Sequence, residues 1–258
     1  MARKQTYRKR YTNQLIEAGE KPVRQERVKR PPVDPQLQLP YLDGKVILID
    51  KPLHWTSFDV IKKLRSILQI KKIGHAGTLD PLATGLLIVC TGRFTKKIND
   101  YMAAEKEYTG SITLGAVTPT YDMESLPEQQ KDHSFVTPEL LHATAKKFIG
   151  EIEQMPPLYS AIKKEGVALY ELARRGVDVE LKARPVIITS FELTNIDLPI
   201  VHFKVVCSTG TYIRSLANDV GAALGCGAYL SELRRTRIGE FDVANAVDME
   251  VFEKEFSA

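Results

Sequence analysis

The first forty residues carry no sustained apolar period, whereas from Leu42 onward apolar positions recur in runs that switch between two spacings. "KVILID" (45–50), closed by Lys51-Pro52, predicts a buried strand. Thr56 then opens a helix, with Asp59 three residues on completing a capping box. Val60, Ile61, Leu64, Ile67 and Leu68 follow at helical spacing and form its predicted inner face. "GLLIVCTG" (85–92) predicts a second buried strand. "EYTGSITLG" (107–115) alternates strictly, with Tyr108, Gly110, Ile112 and Leu114 on one face. Thr137-Pro138 starts another helix, which Gly150 is expected to end. "HFKVVC" (202–207) is a further alternating strand. "STGTYIRSLANDVGAALG" (208–225) predicts a turn into a helix with inner face Ile213, Leu216, Ala217, Val220 and Leu224. Strand pairs separated by helices predict an α+β fold rather than a regular parallel βαβ array.

Composition narrows the picture further. At 258 residues and 43% hydrophobic, the chain can bury a sizeable core in one large domain or two small ones. The longest purely apolar stretches, such as Leu86 to Cys90, are strand-sized and too short to span a bilayer, so no membrane partner is expected. No apolar run follows the N-terminal charges, so a secretory signal is not expected and a cytoplasmic location is. Cys90, Cys207 and Cys226 are scattered and lack CxxC spacing, which predicts reduced thiols with neither a zinc site nor a disulfide framework.

The net charge of +4 is unevenly placed. Residues 1–40 hold ten of the 36 Lys/Arg but four of the 32 Asp/Glu, along with five of the fourteen prolines. They read as a basic, flexible arm, and residues 41–258 as one body that is slightly acidic. Any basic surface on that body has to be local. Lys62, Lys63, Arg65, Lys71 and Lys72 offer one, leading directly into "GHAGTLD".

Asp80 is the most pointed feature. An Asp-Pro step by itself is an ordinary turn opener, because the side chain can hydrogen-bond the backbone two residues on. Here it sits in "GHAGTLDPLATGLL", between glycines and an apolar strand. That stretch resembles the catalytic loop of the TruB-type tRNA pseudouridine synthases. "KEYTGSITLG" resembles their tyrosine-bearing strand, "PPLYSAIKKEGVALYELARRGVDVELKARPV" their middle segment, and "GTYIRSLANDVGAALGCGAYLSELRRTRIG" their second tyrosine-arginine block. The resemblance covers residues 42 to 242, in the family's order.

The resemblance implies a pseudouridine-synthase-like fold: a mixed, mainly antiparallel sheet flanked by helices and loops, with the active-site cleft on the sheet. It implies an isomerase that converts uridine to pseudouridine in the T-arm loop of tRNA, at position 55, through glycosidic cleavage, base rotation and C5–C1′ bond formation. No redox change occurs, so neither cofactor nor metal is expected. Breaking a glycosidic bond develops positive charge on the sugar, which a carboxylate can stabilise or trap covalently. Asp80 is implied as that carboxylate, by attack on C1′ or by removal of a sugar proton. Arg214 is implied as the cation that keeps it charged. Tyr108 matches the tyrosine that stacks on the flipped base and assists loss of the C5 proton. Tyr212 and Leu233 match further pocket positions, and His75 a substrate contact. Lys51 matches the lysine of the family's "DKP" segment, as substrate contact or structural support.

Three departures stand out. Ala76 replaces a common threonine, the basic arm is additional, and only a short tail follows Phe241, leaving no room for the separate C-terminal RNA-binding domain found in many members. The alternative reading is an RNA-binding or tRNA-folding protein on the same scaffold with little or no catalysis. A monomer bound to the T-arm stem-loop is the expected working state.

Overall fold

The structure is a computed structural model that describes residues 32–160, 163–164, 166–177 and 179–256. In chain order its helices and strands begin with α1 (Pro35–Asp43), β1 (Val46–Lys51), α2 (Ser57–Leu68), β2 (Ile73–Ala76), β3 (Ala83–Thr91) and α3 (Ile98–Ala103). Then come β4 (Lys106–Leu114), α4 (Pro138–Lys146), β5 (Gly150–Gln154), β6 (Lys163–Lys164), β7 (Val167–Ala168), α5 (Leu169–Arg174), β8 (Arg184–Asp197) and β9 (Ile200–Cys207). The chain closes with α6 (Ile213–Leu224), β10 (Ala228–Ile238), β11 (Phe241–Asp242), β12 (Val247–Asp248) and α7 (Met249–Lys254). Two units result. One comprises the described residues up to Asn99 together with those from Asn245 onward, and the other is Asp100–Ala244.

In the first unit β3 is flanked by two antiparallel partners. β1 pairs with it from Val46↔Cys90 to Lys51↔Gly85, and β2 from Ile73↔Thr91 to Ala76↔Ile88. β12 joins β1 in parallel at Ile49↔Val247, which makes the strand set mixed. Helix α2 lays its predicted stripe against this layer, with Val60, Ile61, Leu64, Ile67 and Leu68 all buried beside Ile47, Ile49, Leu87 and Val89. Its capping box forms as expected: Thr56 Oγ1 accepts from Asp59 N at 2.9 Å, and Asp59 Oδ2 accepts from Thr56 N at 2.9 Å. Most of the stretch read as a basic arm, residues 1–31, lies outside the described residues. The last part of that stretch is helical, because Asp34 caps α1, Pro35 presets its first turn, and Gln38 Nε2 donates to Leu68 O at 2.8 Å. Tyr41, at the helix end, packs edge-on against Phe252 and Phe256.

The second unit is an antiparallel sheet in the order β10-β4-β9-β8-β5, with β11 returning along β10. β4 is central. Tyr108 faces Val205 on β9 and Arg235 on β10, and Gly110 faces Phe203 and Leu233. Gly110 is required there, since a Cβ would stand 2.3 Å from the Glu232 carbonyl oxygen. Helix α6 packs on β10 and α4 on both α6 and β8. The predicted inner face of α6 is buried throughout, with Arg214 and Ser215 buried alongside it. Helix α4 starts at Thr137-Pro138 as expected but stops at Lys146. Lys147, Phe148 and Ile149 bond back three residues in a tightening turn, and Gly150 (φ +105°) opens β5 instead of closing the helix.

The architecture is therefore α+β, as the sequence pattern predicts, with the mixed, mainly antiparallel strand arrangement that the resemblance implies. No helix among the described residues is long and apolar enough to cross a membrane. The three cysteines are free and buried, and burial pushes the Cys90 and Cys207 thiols up to about 11.

Candidate active site

In the first unit, β2 runs out through Gly77, whose φ of +84° lets the chain swing into the loop that carries Asp80. The loop is gripped on both sides of the carboxylate. Ser57 Oγ accepts from Leu79 N at 2.9 Å and donates to Leu79 O at 3.2 Å, while His54 N donates to Pro81 O at 2.8 Å. Ala83 N closes the turn on Asp80 O at 3.1 Å and starts β3. Leu79 is buried beneath the loop and Asp80 is half-buried. The turn that supplies His54 and Ser57 is itself tied down by Lys51. That side chain is fully buried, and its ammonium donates to Pro52 O at 3.0 Å and Trp55 O at 2.6 Å. His75 lies on β2, five residues before Asp80, half-buried.

In the second unit, Tyr108 is buried on β4 at 8% exposure. Leu233, half-buried on β10, is its diagonal cross-strand neighbour on the same face. Tyr212 and Arg214 stand at the start of α6. Arg214 is held from several sides: Nη1 donates to Thr120 O at 3.1 Å, Nη2 to Tyr159 O at 3.0 Å, and Nε lies 3.6 Å from Asp122 Oδ2. Both ends of that ion pair are buried. Asp122 is in turn held by the Thr120 hydroxyl at 2.6 Å and the Glu124 amide at 2.9 Å. A guanidinium restrained in this way cannot reorient, so its charge is preorganised.

Asp122 is the residue that sequence reasoning missed. In "TPTYDMES" it reads as another turn carboxylate. The usable signal was the pairing requirement: a buried arginine needs a carboxylate, and a short polar loop following the tyrosine strand supplies one. Gln154, the buried end of β5, was missed too. The basic patch on α2 needs one adjustment. Lys62, Arg65, Lys71 and Lys72 are exposed, but Lys63 is half-buried and paired with Glu253 at 2.6 Å. Among the described residues, no group of three His, Cys, Asp or Glu side chains is placed to hold a metal ion.

The structure thus holds Asp80 on a clamped loop in one unit and, in the other, places Tyr108 on the sheet and Tyr212 beside a buried, ion-paired Arg214. Comparison with known proteins sharpens this. Residues 65–213 match the N-terminal domain of the TruB family of pseudouridylate synthases, and residues 214–257 match the tRNA pseudouridylate synthase B C-terminal domain. The tRNA pseudouridine synthase B of Flavobacterium johnsoniae is 53% identical over 221 residues, 83% of this chain and 96% of that protein. The protein of the same name from Parabacteroides distasonis is 49% identical over 206 residues, 78% of this chain and 88% of that protein. Among solved structures, a Cbf5-Nop10-Gar1 complex aligns with a TM-score of 0.66 at 30% identity, covering 89% of this chain and 61% of that one. An H/ACA RNP bound to a substrate RNA containing 2′-deoxyuridine aligns with a TM-score of 0.63 at 29% identity, covering 88% of this chain and 56% of that one. The chain thus spans less than two thirds of these structural neighbours. It belongs to the TruB family of pseudouridylate synthases, which are isomerases.

Proposed function

We propose that this enzyme isomerises uridine to pseudouridine in the T-arm loop of tRNA, at position 55, with Asp80 as its reacting carboxylate. The names of its relatives support tRNA as the substrate. The observation that carries the role of Asp80 is the clamp on its neighbours: the Ser57 hydroxyl fixes Leu79, and the His54 backbone amide fixes Pro81. A reaction at one sugar carbon benefits from a carboxylate held this way, because positional precision lowers the barrier by restricting the approach geometry in advance.

The chemistry balances within the substrate. The N1–C1′ bond breaks, the uracil turns over, and C5 bonds to C1′. The C5 proton leaves and N1 gains one, so no net redox change requires a cofactor. Positive charge developing at the sugar is met by the ionised Asp80, whether by attack on C1′ or by abstraction of a sugar proton. Tyr108 serves as stacking platform for the flipped base and assists loss of the C5 proton. Tyr212 and Leu233 complete the base pocket, His75 contacts substrate, and Lys51 supports the carboxylate loop. Arg214 supplies the fixed positive charge of the reaction centre. We take the protein to act as a cytoplasmic monomer, with the basic residues 1–40 adding phosphate contacts.

The test uses a T-arm transcript carrying tritium at uridine C5, since the C5–C1′ bond cannot form without losing that hydrogen. Wild type should release the label. Asp80→Asn should lose release by at least about a thousandfold while RNA affinity stays within a few-fold, because a group acting in the transition state contributes little to ground-state binding. Appreciable release by Asp80→Asn in a folded, RNA-binding protein would refute the assignment.

A further inference from the structure

Tyr212 occupies an odd place for an aromatic residue. It is the N-cap of α6, a position that favours Ser, Thr, Asp or Asn, and its side chain makes no capping bond. Its backbone is secured from elsewhere. Gln154, buried at the end of β5, accepts from Tyr212 N at 2.7 Å through Oε1 and donates to Tyr212 O at 3.1 Å through Nε2. One planar amide thus holds both backbone polar groups of the residue. The ring is held as well: the Arg184 guanidinium lies over one face, 5.1 Å from the centroid. Gln154 and Arg184 are direct cross-strand partners where β5 meets β8. Arg184 Nε is buried with no hydrogen-bond partner among the described residues. An arginine with a donor left unsatisfied costs stability, and the face of Tyr212 is the contact that this placement serves.

We infer that the Gln154–Arg184 pair is a positioning device for Tyr212, with Gln154 fixing its backbone and Arg184 fixing the plane of its ring. This rests on the reading of Tyr212 as part of the base pocket. Neither residue needs to touch substrate; both act through Tyr212. Arg184 covers one face, so the base meets the ring's edge, hydroxyl or opposite face in one fixed orientation.

A double-mutant cycle tests this, reading the single-turnover rate of tritium release at saturating T-arm RNA together with RNA affinity. Arg184→Met should slow release roughly three- to thirtyfold, the range expected for a partly desolvated cation–π contact, with affinity within about twofold. Arg184→Lys keeps the charge without the planar stack and should lose less; it carries the same comparison if the Met variant fails to fold. In a Tyr212→Ala background, either Arg184 change should alter the rate by less than about twofold. Equal losses in both backgrounds, with Tyr212→Ala itself slow, would overturn the positioning role alone. A Tyr212→Ala rate equal to wild type would overturn the pocket reading beneath it.

Discussion

The two units fix their functional groups by different means. Around Asp80 the restraint is short in reach: Lys51 bonds to carbonyls one and four residues away, and Ser57 to a residue 22 positions on. The bonds that hold Leu79 and Pro81 come from a hydroxyl and a backbone amide. Around Arg214 the restraint is long in reach and charged. Its carbonyl partners lie 94 and 55 positions away, and its carboxylate partner is buried with it. Local neutral restraint depends on a turn folding correctly, whereas distant charged restraint depends on the whole sheet being assembled. The first arrangement should tolerate loss of one member; the second should not.

Breaking the charged arrangement is expected to have the largest effect. Asp122→Asn keeps the size and some hydrogen bonding of the side chain but leaves the Arg214 guanidinium buried beside a neutral amide. Removing one partner of a buried ion pair costs about 3–5 kcal/mol, because the other charge stays desolvated. Urea denaturation of wild type and Asp122→Asn should show a loss of that order with an unchanged slope. A loss below about 1 kcal/mol would mean that Arg214 does not depend on the Asp122 charge and that charge is incidental to the contrast.

The neutral clamp should give way more gently. Ser57→Ala removes a hydroxyl that both accepts from Leu79 N and donates to Leu79 O, leaving two buried backbone groups to find other partners. The expected loss is about 1–3 kcal/mol of stability. The helix itself should persist, because Thr56 and Asp59 cap α2 without Ser57. The discriminating measurement is tritium release in the folded variant. A loosened loop should slow turnover more than it weakens RNA binding. Unchanged turnover would show that the Ser57 hydroxyl is dispensable for holding the carboxylate loop.

This contrast also explains what could be read from the sequence. The capping box, the stripe on α2, the strand "GLLIVC" and the motif around Asp80 lie within some forty residues and obey local periodicity, so they were legible. So were Tyr108 and Arg214 as residues of interest, through the resemblance of their motifs. Their surroundings were not. Nothing in the spacing of Thr120, Asp122, Gln154, Tyr159 and Tyr212 announces that the fold gathers them in two clusters, because tertiary contacts between distant loops, a strand end and the start of α6, rather than helical or strand period, bring them together. The end of α4 was misplaced for a related reason. Gly150 looks like a helix stop, but its left-handed φ serves the entry into β5.

The smallest effect concerns another buried charge in the second unit. Lys106, at 6% exposure, begins β4 two residues before Tyr108, and its ammonium donates to the carbonyls of Met102 and Ala104. Burial, with the Arg235 guanidinium adding to it, brings Lys106 down from its ordinary 10.5 to about 8. The unfolded chain therefore holds this proton more tightly than the folded one, and stability should rise with pH from about 8 towards 10.5 as the folded lysine sheds its charge. Below pH 8 the full penalty for the buried charge persists. The buried thiols of Cys90 and Cys207, pushed up to about 11, pull the other way from about pH 8 upward, because unfolded thiols titrate around 9. Between pH 7.5 and 9 linkage gives the lysine about 1 kcal/mol, and comparison with a variant lacking the lysine removes the thiol contribution common to both proteins. Denaturant titrations of wild type and Lys106→Met at both pH values read it as a difference of differences. The wild type should gain that amount relative to the variant. A flat difference across this window would mean that the carbonyls of Met102 and Ala104 fully compensate the buried ammonium.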